Sequence, residues 1–381
     1  MERRVLKRLA TTVGVVLSGV LAGCGGGGGG DTSATGTSTP STPVPVTSTF
    51  SAACSSTPAA ATTGPFTLQA GDCFVSWRMS DAELAGAKTG SNPGALNTHL
   101  VSDVRAAFKD GIDVVIVLLD LDSTESAGFS YAGVNVPVQT CSVHNALCPQ
   151  FGRLGMTYLV QRSYLQSGPA LHEILHGFHV GMTTDDTANF IIPTTVADHW
   201  GYSSVGGQLG GWKRSSRVSL GGTNYQASGP DRKPPSVPSS GFGSFANGGN
   251  SVPYANLELW TMGLLTDAEL DPVDVAETPV AIDSAHFTAT AIRTYSAAEI
   301  IARVLPAGRP SSATPRAFRG LVVLASTQST ISTDKVAQLN TDIAQFTLQS
   351  EPTTWLGVYN FWSATGGRAT MQLAAASGLI R

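Results

Sequence analysis

Histidine is scarce in this chain, with seven among 381 residues. Three fall in one short stretch, Leu171-His172-Glu173-Ile174-Leu175-His176-Gly177-Phe178-His179, and a fourth is His199. Within that stretch is the pattern H-E-x-x-H. On a helix, residues four apart share a face one turn apart, so His172 and His176 point the same way. Two neutral imidazoles in that arrangement reach one zinc ion. Glu173, beside that face, is placed to take a proton from water and pass it to a leaving group. The chemistry implied is hydrolysis at a carbonyl. The competing reading is a helix with two solvated histidines. Ala170, Leu171, Ile174, Leu175 and Phe178 weigh against it, because they give the same helix a face to bury.

A zinc site of this type needs a third protein ligand. His179 is poorly placed: on a straight helix, positions i, i+4 and i+7 spread over about 10 Å, and only a break at Gly177 would bring it in. Asp185 and Asp186 are close in sequence but read equally well as solvated turn acids. His199, in Asp198-His199-Trp200-Gly201 ahead of a glycine-rich loop, is the first choice, since a loop on a rigid scaffold can aim a ligand. Glu258, a carboxylate between Leu257 and Leu259, is the alternative, either as a ligand or as the partner of a ligand histidine. Tyr202 and Tyr254 flank these candidates and are the expected donors to an oxyanion, each against the reading of a buried structural tyrosine. Met262 reads as a core methionine.

These side chains need a scaffold. Leu96, Leu100, Val104 and Phe108 repeat every four residues and predict a helix over 96–108. The apolar run of 113–122 (DVVIVLLDLD) reads as a central strand. Residues 129–138 read as an edge strand and 156–162 as another strand, after which Gly168-Pro169 opens the H-E-x-x-H helix. From 201 to 256 the pattern dissolves into glycine and proline, a length that signals a functional loop or disorder. Helices return at 255–265, 297–304 and 332–347, with a strand at 320–325.

A helix bearing His172-Glu173-x-x-His176 directly behind a strand resembles the zincin metallopeptidases. That resemblance implies an α+β fold: a zincin-like mixed sheet with a backing helix, an active-site helix, and a loop-rich C-terminal part. It implies His172 and His176 as zinc ligands and Glu173 as general base. The metzincin extension is not matched, since the positions of its glycine and third ligand hold His179 and Met182. In gluzincins the third ligand is a glutamate on a downstream helix, which suits Glu258, although the spacing is long. The blocks HWGYSSVGGQLGG (199–211), FANGGNSVPYANLELWTMG (245–263) and ATGGRATM (364–371) resemble a set found in bacterial secreted proteins bearing H-E-x-x-H.

The N-terminus adds a location. Arg3, Arg4, Lys7 and Arg8 precede a short apolar stretch ending in Leu21-Ala22-Gly23-Cys24, which reads as a secretion signal and resembles the lipobox of bacterial lipoproteins. The expectation is removal of residues 1–23, acylation of Cys24 and a membrane anchor, in the cell envelope and by preference at the outer membrane. Residues 24–64 read as the lipidated cysteine and a Gly/Ser/Thr/Pro tether too poor in large apolar groups to fold. The four remaining cysteines, Cys54, Cys73, Cys141 and Cys148, read as two disulfides in an exported protein, with near-neighbour pairing the simplest of three connectivities.

The formal net charge is −4. Residues 1–23 carry four basic residues and one acidic residue, so the mature chain is at about −7, which argues against nucleic-acid binding. Only 13% of residues are charged and 42% are hydrophobic, enough for a core. The expectation is therefore one catalytic domain over 65–381, with an N-terminal part 65–180 and a C-terminal part 181–381. It would be a monomeric, Zn2+-dependent metallopeptidase acting on a peptide or protein. Two alternatives stay open: a non-catalytic zinc-containing surface lipoprotein, and a zinc hydrolase of a non-peptide amide or ester.

Overall fold

The computed structural model describes residues 62–71, 73–89, 93–108, 112, 114–121, 131–137, 153–159, 164–175, 199–233, 242–243, 248–303, 316–353 and 357–373. All lie in one of the two units into which the chain divides, the one spanning 43–381. The signal, residues 24–61 of the expected tether, Cys24, Cys54, Cys141 and Cys148 fall outside the described residues, and the expected end of the tether at 64 is corrected, since Thr62 and Thr63 pair with Thr67 and Phe66 in the sheet.

The apolar run expected to be a central strand is one. It forms β4 (Val114–Leu119), and all six of its residues are buried. Before it come β1 (Thr62–Thr63), β2 (Phe66–Leu68), β3 (Val75–Arg78) and the helices α1 (Asp81–Thr89) and α2 (Pro93–Ala107). After it come β5 (Tyr131–Pro137), β6 (Arg153–Leu159), α3 (Tyr164–Ser167) and α4 (Ala170–Leu175). The sheet runs β1-β2-β3-β13-β4-β6-β5, where β13 (Arg316–Ser326) comes from far downstream and also pairs with β14 (Ala369–Leu373). β4 is parallel to both β13 and β6, and the edge strand β5 is antiparallel to β6.

Strand residues alternate faces, and here both faces are covered. Val115, Val117 and Leu119 join Leu321, Val323 and Ala325 of β13 beneath Leu100, Val101 and Val104 of α2. Val114, Ile116 and Leu118 join the opposite layer with Leu171, Ile174 and Leu175 of α4, Leu257 and Trp260 of α5 (Asn256–Thr261), and Leu339 and Ile343 of a later helix, 333–347. A strand buried on both faces must read as an unbroken apolar run, as β4 does.

The boundary expected at residue 180 is not one the sheet respects. β13, from the C-terminal part, lies between β3 and β4, so both halves build one core. The irregular region also holds more order than its composition suggests. β7 (Val218–Gly221), β8 (Asn224–Gln226), β10 (Val280–Ala281) and β11 (His286–Thr288) form a four-stranded sheet. β9 (Val273–Glu277) pairs with β12 (Ala291–Tyr295). Behind them lies a cluster of Tyr202, Trp212, Phe287 and Ala276. These strands are two to five residues long, too short for periodicity to register. Cys73 is buried and disulfide-bonded, with its partner outside the described residues. Among the described residues no helix is long and apolar enough to cross a membrane.

His99 joins α1 to α2. Its Nδ1 is 2.5 Å from Glu83 Oε1 and its Nε2 is 3.3 Å from Asp103, which also accepts the Trp77 indole N–H at 2.7 Å. The Glu83 hydrogen bond, reinforced by the Asp103 charge, raises the imidazole above its usual 6.5 despite the opposing effect of burial. The folded state thus binds this proton more tightly than the unfolded one. The latch contributes stability below the unfolded value and loses it as pH rises through the folded value. NMR titration of His99 is expected to place its midpoint above 6.5, and His99→Gln to flatten the stability–pH curve in that range. An unshifted midpoint would contradict the latch.

Candidate active site

Helix α4 carries His172 and Glu173, the described part of the H-E-x-x-H pattern. At six described residues it is too short to hold its shape alone. All six residues are buried, His172 and Glu173 included. Leu171, Ile174 and Leu175 pack into the sheet's core, each fully buried apolar side chain worth roughly 1.5–3 kcal/mol.

The polar groups of α4 are held from two downstream segments. Asn250, in a single 3-10 turn at Gly249–Ser251, accepts the Leu171 N–H at 3.2 Å through its side-chain oxygen. Its side-chain nitrogen donates to the Leu165 and Gln166 carbonyls at 2.7 and 3.0 Å. Tyr254 donates its hydroxyl to the Leu171 carbonyl at 2.8 Å. The chain before α4 passes so close to this turn that a Cβ at Gly168 would lie 2.4 Å from the Asn250 nitrogen, and Gly168 has φ +98°. Only glycine takes both conditions without strain.

The second segment is the loop after His199. Trp200 N–H donates to the Leu209 carbonyl at 2.8 Å, Trp212 N–H donates to Ser203 O at 2.8 Å, and Gly207 and Gly210 exchange a pair of bonds at 3.1 Å. The loop thus closes on itself and brings His199 and Gln208 together against α4. His172 Nδ1 lies 2.6 Å from the Gln208 carbonyl. A carbonyl only accepts, so Nδ1 carries the proton and the neutral ring keeps a lone pair on Nε2. His199 Nε2 lies 3.0 Å from that atom, with the ring centroids 4.9 Å apart. Glu173 Oε1 is 3.8 Å from the same nitrogen.

The structure therefore brings His172, Glu173 and His199 together. Of the two third-ligand candidates, His199 is beside His172. Glu258 has another role. Its Oε1 accepts the Leu209 N–H at 2.8 Å, and its Oε2 accepts those of Gln208 and Ala255 at 2.9 and 2.8 Å. With both oxygens committed to backbone, the expectation of Glu258 as a direct ligand is corrected: it holds the loop that holds His172. Burial pushes its carboxyl up to about 7, against the pull of the Ala255, Leu209 and Gln208 N–H donors. Gly207 allows the contact, since a Cβ there would lie 2.1 Å from Glu258 Oε2.

Tyr254 is corrected likewise. Its only hydroxyl proton goes to Leu171, and burial, with the Glu258 charge adding, raises its pKa well above 10. It ties down the helix and is not a free oxyanion donor. Tyr202 is buried in the aromatic cluster, 5.7 Å from the Phe287 ring and 6.3 Å from that of Phe242. Met262 is a core residue. His176, His179, Asp185 and Asp186 lie outside the described residues. Among the described residues no group of three or more metal-type side chains converges.

Sequence reasoning missed Gln208 and Asn250. Gln208 acts on His172 through its backbone carbonyl, which no residue-type argument detects. Asn250 had one signal, an amide directly after the Gly248-Gly249 pair.

Of the residues that could ligate zinc, two imidazoles, His172 and His199, are within the described residues. Nitrogens of two imidazoles on one tetrahedral zinc lie about 3.3 Å apart, close to the 3.0 Å between His172 and His199. The Gln208 carbonyl holds the His172 proton on Nδ1 and so puts the lone pair on Nε2, the tautomer that a ligand binding through Nε2 requires. No family model, curated protein or solved structure matches the chain.

Proposed function

We propose that the protein is a zinc metallopeptidase of zincin type, exported and held at the bacterial envelope by lipid on Cys24. One observation carries the reading. The Nε2 atoms of His172 and His199, 27 residues apart in sequence, face each other at 3.0 Å beside the Glu173 carboxylate. Two buried or half-buried imidazoles rarely converge without an ion or proton to share. The mixed sheet with an antiparallel edge strand, followed by the short α3 and then α4, supports the zincin comparison.

His172 and His199, with His176 as the H-E-x-x-H spacing implies, would hold the ion. A bound zinc ion supplies Lewis acidity toward a carbonyl oxygen and acidifies water. Glu173 takes the proton of the attacking water and delivers it to the amine nitrogen as the C–N bond breaks. Its burial keeps bulk water from competing for that proton. The Gln208 carbonyl keeps His172 in one tautomer and orientation throughout.

Purified mature protein is expected to hold about one zinc per chain, to cleave unfolded protein substrates, and to lose cleavage on chelation and regain it on zinc addition. His199→Ala is expected to lower zinc occupancy. A folded protein with no zinc by elemental analysis would refute the reading. Zinc without turnover of any peptide would favour the binding lipoprotein instead, and turnover confined to small esters or amides would favour the non-peptide hydrolase.

A further inference from the structure

The atoms that hold His172 form a continuous chain. Gln208 C=O and Leu209 N–H belong to one peptide group. Its carbonyl accepts the His172 Nδ1–H at 2.6 Å, and its N–H donates to Glu258 Oε1 at 2.8 Å. The carbonyl's other lone pair takes the Gly248 N–H at 2.9 Å, so the acceptor cannot swing away. Glu258 Oε2 is pinned by Gln208 N–H and Ala255 N–H. All four participants are buried: His172 at 1% exposure, Gln208 and Glu258 at 0%, and Leu209 at 0%.

We propose that Glu258 is a positioning residue for the metal centre, acting on His172 through the Gln208–Leu209 peptide group as a carboxylate–peptide–imidazole relay. In a directly paired carboxylate–histidine ligand, the anion fixes the tautomer and makes the imidazole a stronger donor to the metal. Here an amide stands between them. A negative charge at the amide N–H polarises the group and concentrates electron density on its carbonyl oxygen, and hydrogen bonds in such a chain strengthen one another. The carbonyl then grips the Nδ1 proton more tightly, and Nε2 becomes a better ligand. The low dielectric around fully buried groups preserves the effect across the two hydrogen bonds and the peptide group between them, which water would otherwise screen. The same geometry explains why a carboxylate is buried on α5 and why the facing residue is Gly207.

The inference rests on the zinc reading for its consequence, but not for its geometry, and two measurements separate them. In metal-free protein, ¹⁵N NMR of the His172 ring is expected to show the Nδ1–H tautomer alone, with a scalar coupling from Nδ1 across the hydrogen bond to the Gln208 carbonyl carbon. In Glu258→Gln, which keeps the shape but removes the charge, that coupling is expected to weaken and the Nδ1–H proton to move upfield. Zinc affinity, by competition with a chromophoric chelator, is expected to fall about 10–100-fold. Glu258→Asp, which keeps the charge on a shorter arm, should give a smaller loss, guarding against a Gln variant that folds poorly. A mixed or Nε2–H tautomer in the wild type overturns the relay. So does a folded Glu258→Gln variant with unchanged coupling and affinity. If the protein takes no zinc at all, the metal reading fails while the NMR arm still decides the relay.

Discussion

Glu173→Gln is expected to reduce peptide hydrolysis by about 10²–10⁴-fold, the range for loss of a positioned general base, while zinc occupancy stays at the wild-type level. The argument is one of shape and charge. Glutamine fills the same buried volume, and the Glu173 backbone N–H keeps its bond to the Pro169 carbonyl at 3.0 Å, so the helix should persist. What disappears is the carboxylate 3.8 Å from His172 Nε2. An amide cannot accept a proton from water near neutral pH, so the water is a poorer nucleophile and the leaving amine departs without its proton. The measurement is kcat/KM on a peptide substrate together with elemental zinc on the same preparation. Retention of more than a tenth of the activity at full zinc occupancy would eliminate Glu173 as the base.

The second large effect is on stability. Asn250→Ala is expected to cost about 2–5 kcal/mol, because one truncation strands the buried Leu171 N–H and Leu165 carbonyl and the half-buried Gln166 carbonyl. Each stranded group costs about 1–3 kcal/mol, with partial relief from relaxation. At about 2–4 °C per kcal/mol for a domain of this size, Tm should fall by roughly 5–15 °C. Asn250→Asp sharpens the test. It preserves the acceptor for Leu171 but turns a carboxylate oxygen toward two carbonyl oxygens, so it should be at least as damaging as alanine despite being nearly isosteric. Thermal unfolding of both variants checks this, and an Asp variant near wild-type stability would show that the amide does not bridge the two segments. Zinc occupancy should fall in parallel, since Asn250 fixes the start of the helix that carries His172.

Helix α4 was legible because its signal is local. His172, Glu173 and the apolar set around them lie on consecutive turns, and a 3.6-residue period maps them onto faces without any knowledge of the rest. β4 was legible for the same reason, its burial on both faces leaving an uninterrupted apolar run. The short strands between 218 and 295 were not, because two to five residues contain no usable period, and their stability comes from the aromatic cluster beneath them. The place of β13 was not legible either. A parallel pairing across about 200 residues depends on which edge of β4 is left open, and nothing in the local sequence records that.

For the site the same division holds. The sequence by itself supplied the H-E-x-x-H spacing, the reading of a zinc hydrolase that rests on it, and the downstream candidates His199 and Glu258. Only the tertiary structure decided that His199 meets His172, and that Glu258 and Tyr254 serve as struts. The reason is that a ligand and a buried strut look alike in sequence: each is a polar residue among apolar neighbours. What distinguishes them is whether their lone pairs and protons are already taken by backbone groups, and that is settled only when the loop of 199–212 folds onto α4.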